Sequence, residues 1–177
     1  MHRFFADERG VVQGAAYLNA EDAGHALRVL RLENGDEVEL VCAPARYRAK
    51  IDSTEGGEVR LRVIEKLRDT EARTRVTLYQ GLPKADKMEL IVQKSTELGA
   101  AAIAPVAMIR SVVRLEGKDA VKKTERWQKI AREAVKQCAR VSAPEVRLPR
   151  KLSAMREELS ALDVLIVPWE DARDGSV

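Results

Sequence analysis

The sequence predicts an α/β fold preceded by a small N-terminal β-barrel, and three observations lead to this fold class. Short strands with tight turns fill residues 1–66, at the spacing that is typical of a small barrel. A strand, a helix and a second strand follow within residues 76–113, the order of a βαβ unit with parallel strands. The charged stretch 66–75 lacks hydrophobic periodicity and indicates a linker. We therefore expect two domains, residues 1–70 and 74–177.

The composition excludes several classes of protein. The 177 residues are 45% hydrophobic and 33% charged, which is typical of a soluble globular protein. Only 4% are aromatic, which argues against base stacking as the main binding device. Cys42 and Cys138 lie far apart without a Cys/His cluster, so we expect a reducing cytoplasm, no disulfide framework and no metal site. Neither a signal peptide nor a membrane-spanning apolar run is apparent.

The predicted barrel contains one helix among its strands. Asn19 is a favourable N-cap, with Asp22 three residues further on. Its apolar face comprises Ala23, Ala26, Leu27 and Leu30. Strands are expected at residues 3–5, 37–41, 46–51 and 58–64. The polar side of the helix carries His25, Arg28 and Arg31, which predict either a solvated face or an edge that contacts phosphates.

The helix of the βαβ unit has both start and stop signals. Gly81 ends its first strand, and Asp86 with Glu89 has the pattern of a capping box. The helical apolar face comprises Met88, Ile91, Val92, Ser95 and Leu98. Gly99 stands where a C-cap glycine belongs, and an apolar run at residues 100–106 predicts the second strand.

Four cations lie near the strand ends of this unit. Lys84 and Lys87 follow the first strand at its carboxyl end, the edge at which open α/β sheets bind ligands. Arg110 and Arg114 flank an apolar stretch after the second strand. These residues predict either a solvated loop or a site for an anionic ligand.

The strongest charge asymmetry involves a helix predicted at residues 125–138, after a polar loop at 116–124 and with Thr124 as its cap. The apolar side comprises Trp127, Ile130, Ala131, Ala134 and Cys138. The basic side comprises Arg126, Lys129, Arg132, Lys136 and Arg140. Residues 117–151 carry eleven lysines or arginines and four acidic residues in a chain of net charge +3, so the remainder is net acidic. This asymmetry favours a polyanionic partner over a merely solvated face.

The last part of the chain predicts a weakly helical segment at residues 152–162 and then a buried parallel strand at 163–167. Pro168, Trp169 and Glu170 follow at the carboxyl end of this strand. A ligand lies at this edge in an open α/β sheet.

Five blocks resemble one known family. They are HALRVLRLENGDEVEL, GLPKADKMELIVQKSTELGA, IAPV, RSVVR and RWQKIAREAVKQCARVSAPEV. The family is RsmE, the small-subunit ribosomal RNA uridine-N3 methyltransferases. The resemblance covers residues 3–170 and implies a PUA-like RNA-binding domain, a SPOUT domain with a C-terminal trefoil knot, and a homodimer. It also implies methyl transfer from S-adenosylmethionine to N3 of one uridine in 16S ribosomal RNA.

The charge pattern and the resemblance together predict the site. RNA contacts are expected at Arg3, Arg28, Arg31, Lys84, Lys87, Arg110, Arg114, Lys129, Arg132, Lys136 and Arg140. The resemblance implies one wall of an S-adenosylmethionine pocket at Pro168, Trp169 and Glu170. The expected partner is 16S ribosomal RNA or the small ribosomal subunit, without a membrane or a metal.

Two family segments do not occur in this sequence, a GPEGG-type loop and an LGxRILRxETA-type segment. We therefore expect a longer parent protein, and a 177-residue chain that keeps part of its RNA binding but does not methylate. One alternative is a non-catalytic RNA-binding module of the same fold. Another is an unrelated α/β protein whose helix at 125–138 packs against a partner protein.

Methylation at N3 requires loss of the uracil N3 proton, so positive side chains near the base would stabilise the developing anion. Lys84, Lys87, Arg110 and Arg114 are the candidates. No histidine follows His25, so a histidine general base is excluded from the second domain. The candidates left open for the proton acceptor include a carboxylate and a residue beyond Val177.

Overall fold

The computed structural model describes residues 1–68, 71–84, 86–109, 115–138 and 140–168. It contains two sheets, each with its own hydrophobic core. The strands are β1 (His2–Phe5), β2 (Ala15–Tyr17), β3 (Glu37–Cys42), β4 (Ala45–Ser53), β5 (Arg60–Lys66), β6 (Thr77–Gly81), β7 (Ala102–Ala107), β8 (Glu145–Val146) and β9 (Arg150–Lys151). The helices are α1 (Ala20–Arg28), α2 (Lys87–Glu97), α3 (Gly117–Cys138) and α4 (Arg156–Ser160), with 3-10 turns at Glu55–Gly57 and Leu152–Met155. We call residues 1–66 the N-terminal unit, residues 67–76 the connection and residues 77–168 the α/β unit.

The N-terminal unit is a five-stranded sheet in the order β1-β3-β4-β5-β2. Only β1 and β3 are parallel, and the other neighbours are antiparallel. An isolated bridge between Ala6 and Leu18 brings the two outer strands of the order together, so the sheet curls around the core. The four predicted strands are present, and β2 is a three-residue strand too short to give a sequence pattern.

Helix α1 begins as predicted, because Asn19 Oδ1 accepts a hydrogen bond from the Asp22 amide at 2.9 Å. Asp22 also accepts from the Phe5 amide at 2.6 Å, which ties the start of α1 to β1. The apolar face is confirmed, since Ala23 and Ala26 are buried, and Leu27 and Leu30 pack against the same core.

The α/β unit contains the predicted βαβ arrangement. Strands β6 and β7 are parallel, with Thr77 opposite Ala102 and Gly81 opposite Val106. Strands β8 and β9 both pair in parallel with β7. Helices α2 and α3 pack against this sheet and enclose a hydrophobic core. The core comprises Leu82, Met88, Val92, Ala100, Ile103, Trp127, Ala131 and Val146.

Helix α2 differs from the prediction in its N-terminal cap and in the exposure of Leu98. Asp86 is the N-cap residue, but its side chain makes no capping hydrogen bond. Glu89 instead pairs with Arg126 of α3, at 2.8 Å between Oε1 and Nη2, so the predicted capping box is wrong. Gly99 has φ +97°, which confirms the C-cap glycine. Leu98 is 88% exposed because it is the cap residue, where the helical face ends.

Helix α3 starts at Gly117, about two turns before the predicted start. Thr124 does not cap the helix, because its hydroxyl donates to the Ala120 carbonyl at 2.8 Å inside the helix. Threonine has both options, as an N-cap and as an interior residue bonded to the carbonyl four residues back. The predicted polar loop at 116–124 is therefore mostly helical.

The predicted buried strand at residues 163–167 is not formed, although the preceding helical segment is present as α4. Val164, Leu165, Ile166 and Val167 are each more than half exposed. Strand β7 already pairs with β6 on one side and with β8 and β9 on the other. In the described part of the chain no strand occupies the outer edge of β6. An apolar run indicates a tendency to be buried, but it does not by itself provide a partner edge.

Candidate nucleic-acid interface

Helix α3 presents one long basic surface. The helix carries seven lysines or arginines and three acidic residues, and its opposite side buries Trp127, Ala131 and Ala134 in the core. The exposed cations on this surface include Lys118, Lys122, Lys129 and Arg132. The predicted separation into an apolar and a basic side is therefore confirmed within α3, though not for Arg140, and it extends over the earlier start of the helix. We call these four residues the α3 basic stripe.

Two cations beside the stripe, Arg126 and Lys136, form ion pairs, whereas Lys129 and Arg132 between them do not within the described part of the chain. Lys136 lies 3.1 Å from Glu21 of α1, and the hydrogen bond to Glu21 raises the pKa of Lys136, which keeps its charge. Across the described ranges, no carboxylate comes within ion-pairing distance of Lys129 or Arg132. These two side chains are consequently available to bind an anion.

The predicted cations of the N-terminal unit have different surroundings. Arg28 and Arg31 are exposed, and the Arg28 guanidinium lies directly over the Cα of Gly24. Arg3 is only 14% exposed and lies 3.1 Å from Glu39 on the neighbouring strand β3. Glu39 is also paired with Arg46 at 3.2 Å. The position of Arg3 in this ion-paired cluster does not fit the predicted RNA contact.

Lys84 and Lys87 are both exposed, just beyond the carboxyl end of β6. This is the edge that the sequence predicts. Arg110 and Arg114 lie outside the described residues.

Arg140 was expected on the basic side of α3 but lies inside the protein. Its side chain is 12% exposed and its Nη2 lies 2.7 Å from the Glu71 carboxylate. Its Nη1 donates to the carbonyls of Thr96 and Ala100, at 3.1 and 2.8 Å. With its donors engaged in this way, Arg140 does not fit a role in binding phosphate.

A second polar cluster holds α4 against the sheet. Tyr79 Oη donates to Glu158 at 2.6 Å, and the same carboxylate accepts from Arg147 and Arg150. Burial raises the pKa of Tyr79, and the bond to Glu158 raises it further. The hydrogen bond from Tyr79 lowers the pKa of Glu158. Neither group is therefore suited to accept a proton near neutral pH.

The predicted cofactor wall has one described member. Pro168 is exposed, and Trp169 and Glu170 lie outside the described residues. A cleft of about 930 Å³ opens between the start of α3 and Leu148 and Pro149, and Pro168 does not line it. A pocket for a cofactor buries most of the ligand surface, and the described residues around Pro168 do not provide such an enclosure.

The sequence predicts neither a membrane-spanning helix nor a metal site, and the described part of the chain bears on both predictions. No helix there has the length and apolarity needed to cross a bilayer. Within the same ranges, no group of three or more metal-ligating side chains comes together.

The chain is similar to proteins that modify ribosomal RNA. A family model described as an RNA methyltransferase domain matches residues 70–176. The ribosomal RNA small subunit methyltransferase E of Bacillus subtilis is 36% identical over 158 residues, which are 88% of this chain and 61% of the relative. The chain thus spans less than two thirds of that relative's length.

Two solved structures share this fold. A putative methyltransferase from Legionella pneumophila, in complex with the bound cofactor SAM, superposes with a TM-score of 0.67 at 30% identity, covering 88% of this chain and 65% of that one. A ribosomal RNA small subunit methyltransferase E from Neisseria gonorrhoeae, bound to S-adenosyl methionine, superposes with a TM-score of 0.67 at 30% identity. The match covers 92% of this chain and 66% of that one. Because the family model spans more than half of the sequence, the chain belongs to the RNA methyltransferase family that includes the ribosomal RNA small subunit methyltransferases E.

Proposed function

We propose that this protein acts in the S-adenosylmethionine-dependent methylation of N3 of a uridine in 16S ribosomal RNA. Membership of the RNA methyltransferase family supports the reaction class. The name of the Bacillus subtilis relative supports a ribosomal RNA of the small subunit as substrate. The two solved structures with bound cofactor support S-adenosylmethionine as the methyl donor. The choice of uridine N3 rests on the motif resemblance.

The α3 basic stripe is the observation in this chain that carries the RNA part of the proposal. Lys129 and Arg132 are exposed cations without a described ion-pair partner. Phosphate contacts from lysine and arginine supply much of the affinity of proteins for nucleic acids. Arg28, Arg31, Lys84 and Lys87 are exposed as well, and we retain them as secondary contacts.

The chemistry requires that the N3 proton leave and that the uracil anion be stabilised. Lys84 and Lys87 follow β6 at its carboxyl end, the edge at which open α/β sheets bind ligands, and this supports assigning them to stabilisation of the uracil anion. S-adenosylmethionine would supply an electrophilic methyl group. We assign no step to residues around Pro168, because the described part of that segment does not enclose a ligand.

The experiment that tests this function is disruption of the gene that encodes the chain. The 16S ribosomal RNA is then purified, digested to nucleosides and analysed by mass spectrometry for N3-methyluridine. We expect the loss of one N3-methyluridine and its return when the gene is restored. An unchanged N3-methyluridine content would contradict the proposed reaction.

The second candidate function is a non-catalytic RNA-binding module of the same fold. The exposure of residues 164–167 favours it, because this segment does not form a wall in the described structure.

Binding of S-adenosylmethionine distinguishes the methyltransferase from the non-catalytic RNA-binding module. We expect isothermal titration calorimetry to detect no S-adenosylmethionine binding by this chain, since a site with only one wall buries too little of the ligand. Tight binding would show instead that residues we place in the core or at the RNA surface build the pocket.

We infer three further properties from the family resemblance: the N-terminal unit is PUA-like, the α/β unit is of the SPOUT class with a trefoil knot, and the protein works as a homodimer. From the cysteine usage we also infer a cytoplasmic location. Sedimentation velocity tests the dimer, which we expect to be the main species at micromolar concentration.

A further inference from the structure

The connection between the two units is held at both ends, although its charged sequence predicts an ordinary linker. On the N-terminal side, the Leu67 amide donates to the Arg46 carbonyl at 2.9 Å. Arg46 Nε in turn donates to the Arg68 carbonyl at 2.9 Å. These two bonds continue the pairing of β4 and β5 into the connection. The first two residues of the connection, Leu67 and Arg68, are therefore held against the N-terminal sheet.

On the other side, Glu71 binds the turn that follows α3. Its Oε2 accepts from Arg140 Nη2 at 2.7 Å and from Nε at 3.1 Å. Its Oε1 accepts from the amides of Val141 and Ser142, at 2.8 and 3.4 Å. Two side-chain donors and two backbone donors thus converge on one carboxylate, which is a geometry that fixes orientation as well as distance.

Arg140 extends this cluster to a third segment. Its Nη1 donates to the carbonyls of Thr96 and Ala100, at the end of α2 where helix carbonyls lack partners within the helix. The side chains of Arg140 and Glu71 are only 12% and 22% exposed, so water and salt screen the pair less than they screen a surface pair. We call this set of bonds the Glu71–Arg140 clamp.

A weaker contact between the units lies nearby. Lys136 of α3 pairs with Glu21 of α1, but the Glu21 side chain is 78% exposed, and exposed pairs contribute little. The cations available for RNA lie on both units, Arg28 and Arg31 on one and Lys129 and Arg132 on the other. Their relative position therefore depends on the connection and on the clamp.

We propose that Glu71 and Arg140 are positioning residues that fix the N-terminal unit against the α/β unit, so that the basic residues of both units form one preformed surface for ribosomal RNA. The RNA part of this inference rests on the proposed function. A surface that is preformed binds its partner without the entropic cost of ordering two units that move independently. Neither residue needs to touch the RNA.

Removing the Glu71 charge separates this role from simple electrostatics. Glu71→Gln raises the net charge by one, so electrostatics alone predicts equal or tighter RNA binding. The clamp predicts weaker binding. Arg140→Lys keeps the charge but cannot form the same set of bonds, and it is the conservative variant if Glu71→Gln folds poorly. Glu157→Gln, at an exposed position on α4, is the matched charge control.

The first readout is local opening, measured on chains whose circular dichroism shows that they are folded. Trypsin cleavage after Arg73 and Arg75, which are exposed in the connection, reports the open population. Hydrogen exchange reports the Val141 and Ser142 amides that Glu71 binds. We expect both clamp variants to be cleaved about tenfold faster and to lose amide protection, with the Glu157→Gln variant unchanged. Rates equal to those of the wild type in both clamp variants would overturn the clamp.

The second readout is affinity for a 16S ribosomal RNA transcript at fixed salt. We expect Glu71→Gln and Arg140→Lys to weaken binding by about threefold or more, as loss of preorganisation does, while Glu157→Gln binds like the wild type or more tightly. Clamp variants that open faster but bind as tightly as Glu157→Gln would overturn the role in RNA recognition. A wild-type chain that binds no RNA would reject the proposed function, and cleavage and exchange would still decide whether the clamp holds the two units.

Discussion

At the scale of single residues, Trp127 is the clearest case of a side chain whose place follows from helix periodicity. It is 3% exposed and packs in one core with Met88, Val92 and Ile103. It therefore joins α2, α3 and the sheet, and its size makes it the main filler of this core.

Replacing Trp127 by alanine should lower the free energy of unfolding by about 3–5 kcal/mol, because a large cavity would remain. Urea unfolding of the two chains measures this difference. Leu90→Ala is the control, since Leu90 is 57% exposed on α2 and its loss should change stability little. A stable Trp127→Ala variant that lost only RNA binding would mean that Trp127 stacks on a base.

Arg140 shows where residue-level prediction stops. The 100° rule places Lys129, Arg132 and Arg140 on one side, and the first two are exposed as the rule requires. Helix α3 ends at Cys138, so the direction of Arg140 is no longer set by helix geometry. Its partner Glu71 lies 69 residues away in sequence, and no local pattern indicates such a pair.

Glu71 should make stability depend on pH. Burial raises its pKa, but bonds from Arg140 and the Val141 amide outweigh burial and hold the pKa below its usual 4.5. A carboxylate of this kind stabilises the fold above its unfolded-state pKa, and the effect is lost as pH falls through the lowered value. Glu71→Gln should thus cost about 2 kcal/mol at pH 7, and the difference should shrink below about pH 4.5. Urea unfolding at pH 3 and at pH 7 measures the difference in unfolding free energy between the wild type and Glu71→Gln, with Glu157→Gln as the control. An equal difference at the two pH values would contradict this dependence on pH.

At the scale of elements, α3 was predicted correctly in type but not in length. Its first two turns contain exposed lysines and few apolar residues, so their hydrophobic pattern is weak. Ala120 is nevertheless buried, and Thr124 bonds within the helix. The early turns bear on the proposed function because they carry Lys118 and Lys122 of the α3 basic stripe.

A proline scan tests the observed start of α3. Lys122→Pro should destabilise by about 3 kcal/mol, because it removes an interior hydrogen bond and clashes with the preceding turn. Lys118→Pro lies in the first turn, where proline is tolerated, and should have little effect. Thermal unfolding followed by circular dichroism compares them. If Lys122→Pro were as stable as Lys118→Pro, residues 116–124 would be a loop in solution.

The strands show what a sequence pattern lacks. Strands β6 and β7 were predictable because a strand pattern, a helix and a second strand pattern in succession usually form a parallel pair of strands joined by the helix. Strands β8 and β9 have two residues each, and they form because β7 offers its other edge and Gln128 holds the Val146 amide at 2.9 Å. Residues 163–167 have the stronger strand pattern but no pairing. The outer edge of β6 is unoccupied in the described part of the chain, so an apolar run and a free edge are not sufficient. Pairing also requires a matching register, which is not a local property.

At the scale of the whole molecule, the charge distribution and the two-core architecture were predictable from composition and pattern. The geometry of the connection between the units was not, because it depends on the clamp. The basic stripe belongs to the α/β unit, and the exposed arginines of α1 belong to the N-terminal unit. The proposed contact between the α3 basic stripe and RNA phosphate is the part of the proposed function that the described residues of this chain support most directly.

The most direct test is the salt dependence of binding to a 16S ribosomal RNA transcript. Each phosphate contact contributes about 0.7–0.9 to the slope of log affinity against log salt. The double variant that carries Lys129→Gln and Arg132→Gln, the stripe variant, should therefore bind RNA more weakly. Its slope should be smaller by about 1–2, and its thermal stability should not change. Lys66→Gln with Lys94→Gln, which removes the same charge from exposed positions outside α3, should leave the slope near that of the wild type. An unchanged slope in the stripe variant, or an equal reduction in the control, would contradict the assignment of this surface to RNA.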